Sequence, residues 1–140
     1  MKFYRIENSC GCGPYHNDEN ESLMFFLRKS PSYNQDDYLK INPTPFNDSK
    51  KFFKNFSKNH NFIFGFNSPK KLIKWFSFSK DKKYNEENYF KKYGFKVSVY
   101  ESTEIFTSKY QSIAQKDNLI FIKNFDFLEF KKNYKKLTIS

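Results

Sequence analysis

Hydrophobic positions recur with two different periods along this chain, and each change of period marks an element. Lys2 to Glu7 alternates, Phe3, Arg5 and Glu7 against Tyr4 and Ile6, and predicts a first strand. Asn8 to Asn20 is punctuated by Gly11, Gly13-Pro14 and a polar run, and reads as a loop. Glu21 to Lys29 places Leu23, Phe26 and Leu27 at i, i+3 and i+4, one apolar helical stripe. Ser30 to Asp48 is a second long loop holding Asn42-Pro43-Thr44-Pro45. Asn47-Asp48-Ser49 offers an N-cap for a helix to about Lys58, with Phe52, Phe53 and Phe56 on one stripe. Asn61 to Phe66 reads as a buried strand. Ser68 then Pro69 is a helix start, a capping hydroxyl followed by Pro at the first helical position, with Leu72, Ile73, Trp75 and Phe76 facing the core. Asn85 to Tyr93 predicts another helix, with Tyr89, Phe90 and Tyr93 inward and Gly94 just past its end. Phe95 to Glu101 alternates as a half-buried strand. Leu119 to Ile122 is apolar on both faces and is expected to be a central strand. Phe125 to Tyr134 fits helix and strand equally. The order β-α-α-β-α-α-β-β-tail predicts an α+β fold, a small sheet flanked by helices in a single domain over residues 1–140.

At 140 residues, with no linker and no repeat, the chain is long enough to bury roughly two-thirds of its unfolded surface. With 19 Phe and 10 Tyr, aromatic rings take the place that Leu and Val usually hold in a core. No stretch approaches the roughly 18 apolar residues of a membrane span, and no apolar region follows the first residues as in a secretory signal.

Charge changes the picture in one respect. The net charge is +10, from 23 Lys, 2 Arg and 15 acids. Abundant Lys, Asn, Phe, Tyr and Ile is what AT-rich codons produce, so part of the basicity is compositional. It is also uneven. Residues 1–48 carry 5 basic and 7 acidic groups, a net of −2, and residues 49–140 carry 20 and 8, a net of +12. Such a half attracts polyanions, although solvated lysines are the plainer reading.

Metal and nucleophile chemistry find little. Cys10-Gly11-Cys12 is too short for an unstrained disulfide. With His16 and His60 it gives four zinc-type ligands at a spacing no common finger uses. Reduced loop thiols are the expectation, ahead of a zinc site or a Cys-His nucleophile. There is no phosphate-binding Gly-x4-Gly-Lys-Ser/Thr loop, no Gly-x-Gly-x-x-Gly and no Gly-x-Ser-x-Gly elbow. Asp36-Asp37 and Glu86-Glu87 are adjacent pairs whose side chains diverge, as surface carboxylates do.

Tyr4-Arg5-Ile6-Glu7, Gly13-Pro14-Tyr15 and Pro43-Thr44-Pro45 with Asp48 form one set of landmarks. Phe64-Gly65-Phe66-x-Ser68, Leu72, Trp75-Phe76 and Gly94-Phe95-Lys96-Val97-Ser98-Val99-Tyr100-Glu101 form another. Together, over residues 3–123, they resemble a family of small, uncharacterised phage and prophage proteins. The segment F-G-F-x-S-x3-L-x2-W-F is the most specific part. Asn42 stands where relatives often carry His. The resemblance implies a phage accessory protein in the host cell cytoplasm.

The element order also resembles an ADP-ribosyltransferase-like domain, which implies a split sheet around a nicotinamide pocket and NAD as cofactor. On that resemblance Arg5 would hold the NAD pyrophosphate, Tyr4 and Phe64 would stack on nicotinamide, and Ser68 would fix the first strand. The catalytic Glu of such enzymes has no clear counterpart; Gln115 and Asp117, or Glu104, are the nearest groups. Among so many lysines, an Arg in a strand points to a need for its fork geometry. The alternative is a plain ion pair with Glu7.

Three functions follow. One is transfer of ADP-ribose from NAD to a host macromolecule, or NAD binding alone. The second is a non-enzymatic basic protein that blocks a host protein or nucleic-acid complex, without a membrane role. It would use Lys50, Lys54 and Lys58, spaced to share a helix face, together with Lys70, Lys71 and Lys74. Scarce Arg argues against base-specific readout there. The third is a virion or assembly component. Nothing in the chain specifies an oligomeric state.

Overall fold

The structure is a computed structural model and describes residues 1–14, 21–27, 61–107 and 111–137. The helix expected at 47–58, the Pro43-Thr44-Pro45 loop, both histidines and Lys50, Lys54 and Lys58 lie outside the described residues.

Strand β1 (Lys2–Glu7) pairs antiparallel with β3 (Lys96–Ser102), Arg5 opposite Ser98 and Glu7 opposite Lys96. β3 pairs antiparallel on its other side with β6 (Leu119–Phe125), giving the order β1-β3-β6. A second antiparallel sheet has the order β2-β5-β4, from β2 (Phe62–Gly65), β5 (Ser112–Gln115) and the two-residue β4 (Phe106–Thr107). The sheets are joined where Tyr4 and Phe66 exchange two backbone bonds of 2.8 Å. A small sheet in two parts, flanked by helices, is the α+β class the pattern predicts. No helix among the described residues is long and apolar enough to cross a membrane.

The helices begin and end where side chains satisfy their free backbone groups. Helix α1 (Glu21–Leu27) buries Leu23, Phe26 and Leu27, the predicted stripe. Helix α2 (Pro69–Trp75) is capped by Ser68, whose Oγ accepts from Lys71 N at 3.2 Å. Helix α3 (Glu86–Lys92) is capped by Asn85, has Glu86 and Glu87 in its first turn and Lys91 and Lys92 in its last, all favourable to the helix dipole. Gly94 follows at φ 76°, a conformation that other residues rarely take. Helix α4 (Phe127–Leu137) settles the ambiguous last segment and buries Phe127 and Phe130 three residues apart.

These helices cover one face of the β1-β3-β6 sheet. The core there is mostly rings: Phe76 and Phe127 each meet Phe90 edge-on at 5.5 Å, and Phe26 stacks on Tyr89 at 4.2 Å. The other face is closed where β2 folds back. A Cβ at Gly65 would fall 2.4 Å from Phe3 Cζ, so the close approach requires glycine.

Three expectations need correction, the first being Glu86: expected as a surface carboxylate, it is only 3% exposed and accepts from Ser79 N at 2.8 Å. β3 is the central strand of its sheet and β6 is an edge. The run at 119–122 is apolar on both faces, but among the described residues one edge is unpaired, and Ile120 is 68% exposed, Phe121 54% and Ile122 47%. Periodicity reports hydrophobicity and says nothing about neighbours. The hydrophobic pattern gives no sign of the short strands β4 and β5. β5 (Ser-Ile-Ala-Gln) is buried by the second sheet, and its small polar residues carry no alternating signal.

Candidate functional site

Alternation along β1 sends Tyr4 and Ile6 towards the helices and Phe3, Arg5 and Glu7 to the opposite face. That second face is also closed, so Arg5 is a buried cation, and each guanidinium nitrogen has a partner. Nε donates to Glu7 Oε2 at 2.9 Å, Nη1 to the Phe64 carbonyl at 2.8 Å and Nη2 to the Gly11 carbonyl at 3.1 Å. The Tyr100 hydroxyl donates to the other Glu7 oxygen. Burial, and then its bond to Glu7, pushes the Tyr100 phenol well above its ordinary value of 10.0.

The Gly11 carbonyl is aimed by a tight turn. Asn8 Oδ1 accepts from Cys10 N and Cys12 N at 3.0 Å each, and Asn8 N donates to the Cys12 carbonyl at 2.9 Å. Gly11 itself takes φ 79°. Arg5 therefore ties together β1, β2 and the 8–14 turn through a planar fork that Lys lacks. Of the two readings of Arg5, the ion pair with Glu7 is the contact formed here, joined by the two carbonyl bonds.

The other predicted residues spread around this clip. Tyr4 points away from Arg5 into the helical core, its ring 5.9 Å from Phe130, and burial raises its phenol. Phe64 is half-buried and meets Arg5 through its backbone. Ser68 is the α2 cap. Gln115 pairs with Phe62, two register positions from the Phe64–Ile113 pair, and its Oε1 accepts from Asn118 Nδ2 at 3.4 Å. Asp117 is exposed on the 3-10 turn at Lys116–Asn118, and Glu104 is exposed after β3. The structure thus joins Arg5 to the Phe64 backbone and leaves the Tyr4 side chain on the opposite face. Lys70 and Lys74 are exposed on α2, away from the buried Leu72 and Trp75, and Lys71, one turn before Trp75, is half-buried.

Cys10 and Cys12 are exposed free thiols, and no group of three or more metal-type ligands occurs among the described residues. A cleft of about 370 Å³ between α3 and α4 is lined by both signs of charge, including Glu87, Lys91, Asp126 and Lys132.

The feature that sequence reading missed is the outer side of β6. Ile120, Phe121 and Ile122 are exposed in succession, and Phe121 meets Tyr100 edge-on at 5.7 Å. The pairing of β6 with β3 shifts between Val99 and Tyr100, which leaves Ile122 without an opposite residue. Lys123 rests its ammonium 4.7 Å above the Phe125 ring and forms no ion pair among the described residues. The polar Lys123-Asn124 that ends the apolar run was the available signal for an edge.

Comparison with known proteins supplies the class and then the family. Residues 1–128 match a family of phage proteins. The chain belongs to the Bacteriophage T4 Y00F protein family. No curated protein and no solved structure matches it.

Proposed function

We propose that this is a non-enzymatic phage accessory protein that acts in the host cell by occupying a host protein, in takeover or against defence. The observation that carries this reading is the run Ile120-Phe121-Ile122, open on the edge of the main sheet. Three large apolar side chains in sequence on an edge strand are a hazard for a free protein and an asset for a binding one. Phage family membership supports a role of this kind in the host cell.

The competing reading is NAD binding, with or without ADP-ribose transfer. It rests on Arg5 lying in β1 against the Phe64 backbone. A pyrophosphate there would have to replace Glu7 and two carbonyls, all of them buried or half-buried partners, and the ring of Tyr4 lies across the sheet. The cost of stripping a buried cation of its partners weighs against it.

One experiment separates the two. A photo-crosslinking amino acid at Phe121, and at exposed Lys80 as control, is used in cells of the phage's host, and purified protein is incubated with NAD under proton NMR. The expected result is a discrete host-protein adduct from position 121, none from 80, and unchanged NAD. Nicotinamide release, or NAD line broadening abolished by Arg5→Lys in a folded variant, would replace this function with the NAD one. Adducts to nucleic acid in place of protein would overturn it as well.

A further inference from the structure

We infer that β6 takes up an extended, acidic segment of its partner as an additional antiparallel or parallel strand, next to Lys123. This rests on the binding function proposed above and specifies the partner's chemistry.

The argument begins with the edges. Among the described residues, β4 is an edge of only two residues, and the outer side of β1 is partly taken by Phe66. β6 is a seven-residue edge whose described pairing is with β3 alone. A strand of that length presents a row of backbone donors and acceptors that an extended peptide can complete, with its side chains setting specificity.

Charge decides between occupants. β6 has one charged residue, Lys123, and residues 116–137 contain 6 Lys against 3 acids, a net of +3. A second copy of this chain would bring another Lys123 and a further +10 to the same edge. Like charges across a strand pair are unfavourable. Nucleic acid would answer the charge but would leave Ile120 and Ile122 in water and the strand's donors without matching acceptors in register. A peptide strand with apolar residues and carboxylates answers all three features.

The test uses the full chain and synthetic strands: a short capped peptide alternating Val and Glu, the same length alternating Val and Lys, and a thymidine oligonucleotide. Binding is read by amide chemical shifts and amide hydrogen exchange. The Val-Glu peptide is expected to shift and protect Leu119–Phe125, and the Val-Lys peptide is not. Ile120→Glu is expected to weaken the Val-Glu complex by roughly tenfold or more, and Ile120→Lys by much less, because only the first adds a like charge. Equal binding of both peptides, protection elsewhere, oligonucleotide binding at β6, or a peptide-free dimer sealed at β6 would each overturn the inference. The two proposals fail separately. Host-protein adducts that persist in Ile120→Glu remove the strand mode and keep the function. Absence of host-protein adducts removes the function while the peptide result stands.

Discussion

Arg5 and Glu7 stand two residues apart on β1, so their side chains leave the same face, and they meet at 2.9 Å with each less than a tenth exposed. In that setting a charge is tolerable only while every partner is present. Arg5→Met leaves the buried Glu7 carboxylate with the Tyr100 hydroxyl and without its cation, and takes the guanidinium donors away from the Phe64 and Gly11 carbonyls. The expected loss is about 3–5 kcal/mol. Arg5→Lys keeps the charge but cannot reach all three acceptors at once, and is expected to lose about 1–3 kcal/mol. Combining Arg5→Met with Glu7→Leu should recover part of the loss, since no lone charge then remains. Urea unfolding of the four proteins measures this. Losses well under 1 kcal/mol for Arg5→Met would mean that water reaches the pair.

Gly65 is the second place where backbone geometry dictates the residue. The Cβ of Gly65→Ala would sit 2.4 Å from Phe3 Cζ and 2.6 Å from the Tyr4 carbonyl oxygen. The ring has room to turn only by disturbing a closed core, and the carbonyl is held by its bond from Phe66 N. The expected cost is about 1–3 kcal/mol. Adding Phe3→Ala removes the ring but not the carbonyl, so it should not rescue Gly65→Ala. Thermal unfolding of the single and double variants decides it; full rescue would place the whole conflict in the ring.

These two sites show what was legible in the sequence and what was not. Local signals were read correctly where chemistry is local: Ser68-Pro69 and Asn85 cap their helices, Gly94 takes its positive φ, and Leu23, Phe26 and Leu27 form a buried stripe. Arg5 was legible as unusual because it is one of two Arg among 23 Lys. Its partners were not, apart from Glu7, because the Phe64 and Gly11 carbonyls reach it only through the Tyr4–Phe66 bridge that brings β2 beside β1 and the turn at Asn8. Strand order was invisible for the same reason. A Leu-Ile-Phe-Ile run has the same pattern in the middle of a sheet as on its edge, and only pairing distinguishes them.

Glu86 gives a pH dependence with a definite sign. Burial, chiefly, raises its carboxyl above the ordinary 4.5, partly offset by its bond from Ser79 N at 2.8 Å and by the charge of Lys131. The folded state then holds the proton more tightly than the unfolded one. This group's contribution is full below about pH 4.5 and is lost as pH rises from there through the folded value. Glu86→Gln, which can still accept from Ser79, should equal the wild type at low pH and gain on it as pH rises. Glu101 acts the other way: the Met1 ammonium and then Lys2 lower its carboxyl, so its exposed contribution fades as pH falls. Melting curves of Glu86→Gln and Glu101→Gln from acid to neutral pH should therefore diverge from wild type in opposite directions. A constant gap for Glu86→Gln would show its pKa to be unshifted.

The β6 surface should separate folding from binding. Ile120 and Ile122 have more of their surface in water than a core position allows, so Ile120→Ser and Ile122→Ser are expected to change stability by no more than about 0.5 kcal/mol. Phe121 differs, because its ring meets Tyr100 edge-on, and Tyr100 in turn holds Glu7. Phe121→Ala is expected to cost on the order of 1 kcal/mol through that contact. Denaturant midpoints test both claims. If Ile120→Ser unfolds the protein as readily as a core truncation, the β6 surface is covered in solution and belongs to the core. If it leaves the fold intact while abolishing crosslinking to host protein, the exposed isoleucine is present for a partner, because it contributes nothing measurable to the chain that carries it.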